Sequence, residues 1–279
     1  MWCRRHVLLS VVVGVSLTLS VSLASAYQER GGERLNNTAY TLPAWELSLG
    51  LWRAQVGVLD EVLLGTYVPT WFTYPFLQTT VPTGFVKVRD WFHADVAVSL
   101  RAGFVFFSGD TLAQKLLDDA NVQAGMAVFP IGVATSWRAN RWFSQSLEAS
   151  YVFAAAGGES DGRAKLEGGM ATENVTLTSL SEWRVSRVVA LTLLGRFLAY
   201  RGNARLEGTI EEDGSEIEVD VGGRFENTVA FSVVPGVSLS FEYVNLELGI
   251  GYGNWWLPIV EMPLPGRTLV PEFDIYVRF

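Results

Sequence analysis

From Val96 to Phe106 the chain alternates. Val96, Val98, Leu100, Ala102, Phe104 and Phe106 fall on one side of a two-residue period. Ala97, Ser99, Arg101 and Gly103 fall on the other. A period of two places successive side chains on opposite faces of a β-strand, so this run has one apolar face and one small or charged face. The pattern recurs. Leu47, Leu49 and Leu51 alternate with Glu46, Ser48 and Gly50, and Leu147, Ala149, Tyr151 and Phe153 with Ser146, Glu148 and Ser150. Val189, Leu191, Leu193 and Phe197 oppose Thr192 and Arg196, and Val244, Leu246, Leu248 and Ile250 oppose Asn245, Glu247 and Gly249. Beyond residue 26 no stretch approaches the roughly 18 apolar residues of a membrane-crossing helix. A chain that exposes this much alternating apolar face either buries it in a β-sandwich core or turns it outward on a closed sheet.

The last nine residues, Pro271 to Phe279, sharpen that choice. Phe273, Ile275, Val277 and Phe279 share one face, and Glu272, Asp274, Tyr276 and Arg278 the other. The strand stops on the aromatic residue. It resembles the closing strand of bacterial outer-membrane β-barrels, and that resemblance implies that Phe279, Val277 and Tyr276 form part of the signal read by the barrel-assembly machinery. The run from Leu42-Pro43 through Gly50-Leu51-Trp52-Arg53 to Gly57-Val58-Leu59-Asp60-Glu61-Val62-Leu63-Leu64-Gly65-Thr66 resembles the opening repeat of uncharacterised barrel proteins of Gram-negative bacteria. Those families carry no chemistry to transfer.

The connections also alternate. Short ones fall near 55–60, 92–95, 138–141, 185–187 and 239–242, and long ones near 71–82, 108–120, 156–173, 202–224 and 254–268. Transmembrane barrels have short periplasmic turns and long outer loops. Eleven strands can be read from Trp45 onward, and even parity calls for one more, which residues 37–43 can supply. The expected fold is all-β, an antiparallel up-and-down transmembrane barrel of twelve strands, with ten as the alternative. Pro130-Ile131-Gly132 and Pro235-Gly236 read as bulges or kinks. Leu112, Leu116 and Leu117 suggest a helical turn or two within 109–120. The acidic stretch 202–224 reads as an exposed hairpin turning at Asp213-Gly214. Tryptophans such as Trp45, Trp91, Trp137, Trp142, Trp183 and Trp255 fall near strand ends, where interfacial rings sit, whereas Trp52 has interior parity.

The first residues read as a secretory signal peptide over 1–26: basic Arg4, Arg5 and His6, an uncharged apolar run from Val7 to Leu23, and Ala24-Ser25-Ala26 as a small-x-small cleavage site. Export to the periplasm and a mature start at Tyr27 follow as expectations. Residues 27–36 are a polar periplasmic lead-in, and 37–279 the barrel. Cleavage removes Cys3, the only cysteine, and with it thiol and disulfide chemistry. A net charge of −8 argues against nucleic acid and against an anionic inner-leaflet surface as partners. The expected partners are outer-membrane lipid, periplasmic chaperones, the assembly machinery and, on one alternative, a small solute.

By parity the interior face collects Glu46, Lys87, Arg89, Arg101, Glu148, Arg196, Glu247, Asp274 and Arg278, together with Glu182 and Arg184. Mixed signs suit ion pairs that fill a lumen. The sharper alternative is that Lys87, Arg89, Arg101 and Arg196 line a path for an anionic solute. Little points to catalysis. His93 is the one histidine outside the signal, and it falls in a short turn. A carboxylate pair involving Glu148, Glu182 or Glu247 is an open but unspecific possibility. No cofactor motif or metal-ligand spacing appears, and the acidic loop lacks the regular spacing of a calcium loop. The reading is an outer-membrane barrel of structural or passively permeable role. A channel or transporter for a small solute is the first alternative, and an outer-membrane hydrolase the second.

Overall fold

The computed structural model describes residues 35–73, 81–108, 122–161, 165–202, 204–212, 215–223, 229–257, 262–264 and 266–279. The signal peptide, most of the lead-in and the turns expected within 109–120 lie outside the described residues. In chain order the elements are β1 (Leu47–Gly50), β2 (Arg53–Leu59), β3 (Val62–Tyr67), a 3₁₀ turn (Val68–Phe72), β4 (Thr83–His93), β5 (Val96–Ser108), β6 (Val122–Asn140), β7 (Phe143–Asp161) and β8 (Lys165–Arg184). They continue with β9 (Val189–Arg201), β10 (Ala204–Glu212), β11 (Ser215–Gly223), β12 (Phe231–Ser240), β13 (Val244–Gly253), β14 (Trp256–Leu257), β15 (Met262–Pro263) and β16 (Thr268–Arg278).

Twelve of these strands close an antiparallel barrel in the order β1 to β9, then β12, β13 and β16. The seam is β1 on β16, where Ser48 faces Arg278 and Leu49 faces Val277. The hairpin β10–β11 continues the sheet above the barrel: β10 pairs with the first third of β8, and β9 with the remainder. Here lies the acidic hairpin that the sequence predicts. β14 and β15 form a small separate ladder.

Alternation sorts the side chains as the period demands. Leu100, Leu147, Leu191, Leu248 and Phe273 stand on the outer surface, roughly half exposed. Their neighbours Ser99, Arg101, Ser146, Ala190, Glu247 and Asp274 are buried inside. Such a continuous apolar exterior is foreign to a water-soluble monomer. Exposed aromatics ring both ends of it: Trp91, Trp137, Trp142, Trp183 and Tyr243 at the short-turn end, and Trp71, Tyr200, Tyr252 and Trp255 at the other. From Tyr243 to Tyr252 a tilted strand climbs about 23 Å, at roughly 2.5 Å of height per residue.

Several sequence expectations are corrected. Residues 37–43 form no strand. The twelfth strand is β2, a run that reads in sequence as a tight connection because Gly57 and Asp60 resemble turn residues. Pro43 denies the earlier segment a ladder donor. The chain instead turns at Leu51-Trp52 and again at Asp60-Glu61, so one connection at the long-loop end is only two residues. β7 and β8 run well into the stretch 156–173 expected as a loop, with register held from Phe143↔Trp183 to Asp161↔Lys165. Pro130 and Pro235 cause no bulge. The register numbers on either side of each are continuous, and the missing N–H simply interrupts pairing with β5 and with β13. The register shifts occur elsewhere, as at Gly57/Leu59, Trp91/His93 and Arg138/Asn140, beside the tight turns.

Candidate functional site

Among the described residues, buried charged and polar side chains collect in the barrel interior, and its floor is made by the chain itself. Before β1, residues 35–43 enter the lumen as irregular chain. Leu35, Thr38, Ala39, Tyr40, Thr41 and Leu42 are all at most 4% exposed. Two non-glycine residues in the left-handed region set the path: Asn37 at φ 58° and Trp45 at φ 67°. Each costs about a kilocalorie, which local contacts must offset. Gly57 of β2 makes room: a Cβ there would lie 2.0 Å from the carbonyl oxygen of Pro43 and 2.8 Å from that of Leu42. The main chains join where Trp45 N donates to Gly57 O and Gly57 N to Glu46 O.

Irregular backbone inside a wall needs partners for its polar groups, and the wall supplies them. Lys87 Nζ donates to the carbonyls of Thr38 at 2.6 Å and Leu35 at 3.2 Å. Ala39 N donates to Ser136 Oγ at 2.7 Å, and Ser136 shares a further bond with Ser146. Asn36 Nδ2 donates to Asp274 Oδ2 at 2.7 Å, while Arg53 Nη1 donates to Asn36 Oδ1. Thr41 Oγ1 donates to Asp60 O, and Ala44 N to the Asp60 carboxylate. The apolar side chains of the segment find the wall too. Leu35 and Leu42 join Leu63, Tyr67, Phe85, Val105, Val128 and Val152 in one buried cluster, and Ala39 and Tyr40 join Ala97 and Ala134 in another. Between segment and wall, beside Lys87, Arg101 and Glu148, a cavity of about 10 Å³ remains, room for a single water.

The charges expected in the lumen are placed as follows. Arg101 Nη2 meets Glu148 Oε1 at 2.8 Å across the width of β6, above Gly132, where a Cβ would stand 3.0 Å from that carboxylate oxygen. Arg196 on β9 grips both oxygens of Glu272 on β16, at 2.8 and 3.1 Å. Since β12 and β13 lie between those strands, the pair is a chord across the lumen. Arg278 Nε meets Glu46 at 2.5 Å beside the seam, and Arg184 Nε meets Glu182 at 3.0 Å. Arg89 donates to Asp60 O at 2.8 Å and lies 5.1 Å from the Trp91 ring centre. Glu247 and Asp274 are register partners on β13 and β16, buried at 4% and 6% exposure. Of the closing strand, Tyr276 is buried inside, Val277 stands between Leu49 and Val244, and Phe279 pairs main chain to main chain with Leu47 while its ring is exposed. His93 is exposed at the short-turn end of β4.

Sequence parity missed Arg53 and Gln55, which line the floor cavity, because their strand reads as a turn. It also passed over Glu272, although the closing strand places it on the charged face. Above the charged level the two sides of the lumen differ. Val105, Val128 and Val152 line the β5–β7 side and are buried. On the β8–β12 side Thr172, Asn174, Thr176 and Ser232 are buried, and their side-chain polar atoms meet no hydrogen-bond partner among the described residues.

No family model matches the sequence, and no curated protein sequence does. The fold has solved counterparts. The translocator domain of the autotransporter NalP from Neisseria meningitidis is 11% identical, with 84% of this chain covering 83% of that one at a TM-score of 0.43. The Pseudomonas putida toluene transporter TodX is likewise 11% identical, with 91% of this chain covering 71% of that one at a TM-score of 0.43. LpxR from Salmonella typhimurium is 6% identical, with 71% of this chain covering 88% of that one at a TM-score of 0.28. These are distant likenesses in architecture, and no property of those proteins is transferred by them.

Proposed function

We propose that this protein is an outer-membrane β-barrel of a Gram-negative bacterium whose lumen is closed from the periplasmic side by its own N-terminal segment. On this reading it passes a small solute only when that segment moves. The apolar exterior between two aromatic rings supports the membrane placement, since lipid accepts such a surface and leaves no room for an open sheet edge. The short-turn end then faces the periplasm, and the closing strand with Tyr276, Val277 and Phe279 is what the assembly machinery would read.

The observation that carries the gating is the seating of residues 35–43 on Lys87. A lysine buried in the lumen spends its charge on two carbonyls of the segment, so moving the segment frees both a path and a cation. A permanently open pore has no use for that arrangement. An anion path lined by Lys87, Arg89, Arg101 and Arg196 has less support, because in this state each of the four is engaged with a carboxylate or a carbonyl.

Planar-bilayer conductance tests the reading. The intact chain should be nearly silent, and deletion of residues 35–43 should open steady channels. A cysteine pair at Ala39 and Ser136, in a Cys3→Ser background, should hold any residual current off until a reductant is added. Large steady currents from the oxidised pair would sink the proposal. A heat-dependent gel shift of protein from the outer-membrane fraction checks the membrane placement separately.

A further inference from the structure

We infer that the seated segment holds the place of a small zwitterion, and that a free α-amino acid bridging the two charged halves of the lumen floor displaces it. This deepens the gating reading above and rests on it.

The floor is polarised. Within electrostatic reach of Lys87 on β4 lie three arginines, Arg53, Arg89 and Arg101, and one carboxylate, Glu148. Around β13 and β16 the balance is reversed. Four carboxylates stand there, Glu46, Glu247, Glu272 and Asp274, with two arginines, of which Arg278 pairs with Glu46 and Arg196 with Glu272. Among the described residues, cations therefore prevail on the β2–β5 side and carboxylates on the β13–β16 side. Charges separated in this way set a field across the lumen.

The segment is built to match that field. It turns acceptor oxygens to the cations: Lys87 Nζ donates to Thr38 O and Leu35 O, and Arg53 Nη1 donates to Asn36 Oδ1 at 3.3 Å. It turns a donor to the acidic side, where Asn36 Nδ2 donates to Asp274 Oδ2 at 2.7 Å. One primary amide thus joins the two halves, oxygen to guanidinium and nitrogen to carboxylate. Arg53 is held ready for such a partner. Its guanidinium carbon lies 5.8 Å from the centre of the Tyr67 ring and 5.7 Å from that of Phe85. Aromatic faces fix a cation without neutralising it.

The chemistry of these contacts selects the occupant. Each is made by a neutral group of the segment to a charged group of the wall. An ionised partner of opposite sign binds such a group more strongly. An α-amino acid carries its carboxylate and its ammonium on one carbon, as the Asn36 amide carries its oxygen and nitrogen, so it can answer Arg53 and Asp274 together. A simple anion answers Arg53 and Lys87 but is repelled by Glu247 and Asp274, and a simple cation meets the reverse. Two voids flank the segment, one shared by Lys87 and Arg53 and the other by Arg53, Asn36 and Asp274, and neither has room for more than a single water. The ligand therefore enters only as the segment leaves, and its binding shifts the balance toward the displaced state.

Thiol labelling of the full chain in phospholipid vesicles tests this. In a Cys3→Ser background, Ala39→Cys places a thiol at a fully buried position of the segment, and a water-soluble methanethiosulfonate reads how often it is uncovered. Glycine at millimolar concentration should raise the labelling rate severalfold. Acetate and methylammonium, at the same concentration and ionic strength, should each leave it nearly unchanged. Arg53→Gln should abolish the response to glycine, and Asp274→Asn should shift the response from glycine towards acetate. Should either variant fail to fold, Asn36→Ala keeps both charged partners and should let glycine act at a lower concentration. Acetate or methylammonium as effective as glycine overturns the inference. So does a rate indifferent to glycine in a protein that deletion of residues 35–43 turns into an open channel. If that deletion leaves the bilayer silent as well, the gating reading has failed and this inference falls with it.

Discussion

The wall over β6–β8 and the wall over β1–β3 are built from the same alternating pattern but to different heights. The tall side carries long unbroken ladders, such as β7 on β8 from Phe143↔Trp183 to Asp161↔Lys165, and rises past any plausible membrane thickness to support the β10–β11 hairpin. The low side ends early, and its edge is finished by indole donors and a proline. The difference shows that two devices satisfy backbone at the apolar level. The tall side uses neighbouring strands, and the low side uses side chains. It also separates two tasks. The Arg101–Glu148 pair stands across β6 on the tall side, while the low side lies over the inserted segment, where Gly57 admits the carbonyl of Pro43.

The largest effect that would sharpen this contrast lies in those charges. Glu148→Gln leaves Arg101 without its carboxylate, close to Lys87 and Arg53, where side-chain exposure is only 7% for the arginine. Removing one partner of a buried pair costs about 3–5 kcal/mol. Glu46→Gln, whose carboxylate at the seam is 18% exposed against 11% for Glu148, should cost less, about 2 kcal/mol. Urea titration of the folded fraction in vesicles measures both. Equal losses would mean that the tall side's foot is as wet as the seam.

Next in size is the depth test. Leu100→Arg places a charge about 10 Å above the short-turn end on β5, beside the tall side, and should cost about 2–4 kcal/mol, the midplane value. Leu49→Arg, two residues from the barrel's lower rim at the seam, should cost about 0–1 kcal/mol. The same titration reads both. A Leu49→Arg penalty as large as that of Leu100→Arg would put the foot of the low side as deep in hydrocarbon as Leu100.

How much of this is legible in the sequence follows from what kind of interaction each part uses. The twelve-strand barrel and its outward leucines are local: period two needs only near neighbours, so Leu100 and Leu248 announce their face. Parity also delivers Arg101, Arg196 and Glu247 to the interior. It cannot choose partners, because Arg196 reaches Glu272 over two intervening strands, a relation set by closure. The inserted segment is invisible for a further reason. Residues 35–43 have no periodicity, and most of their stabilising contacts are with residues distant in sequence, among them Arg53, Asp60, Lys87, Ser136 and Asp274. Pro43 is the one local hint against the strand reading. β2 was hidden because Gly57, which looks like a turn residue, is there to let the backbone of Pro43 approach.

The smallest expected effect bears most directly on the low side. Trp52→Phe keeps the ring and removes the indole donor, so Phe273 O at the open edge loses its partner. An unmade bond to a group shielded from water costs about 1–3 kcal/mol, whereas the same carbonyl in contact with water would lose almost nothing. Trp142→Phe at the short-turn rim, where the ring is half exposed, serves as the reference and should be near neutral. Stability in vesicles and amide exchange along β16 check the outcome together. If Trp52→Phe is also neutral and exchange at Phe273 is unchanged, the edge is bathed in water, and the low side is simply a shorter rim standing clear of the lipid. If the loss is real and exchange stays slow at Ile275 but quickens above it, then side-chain donors do for the low side what strands do for the tall one.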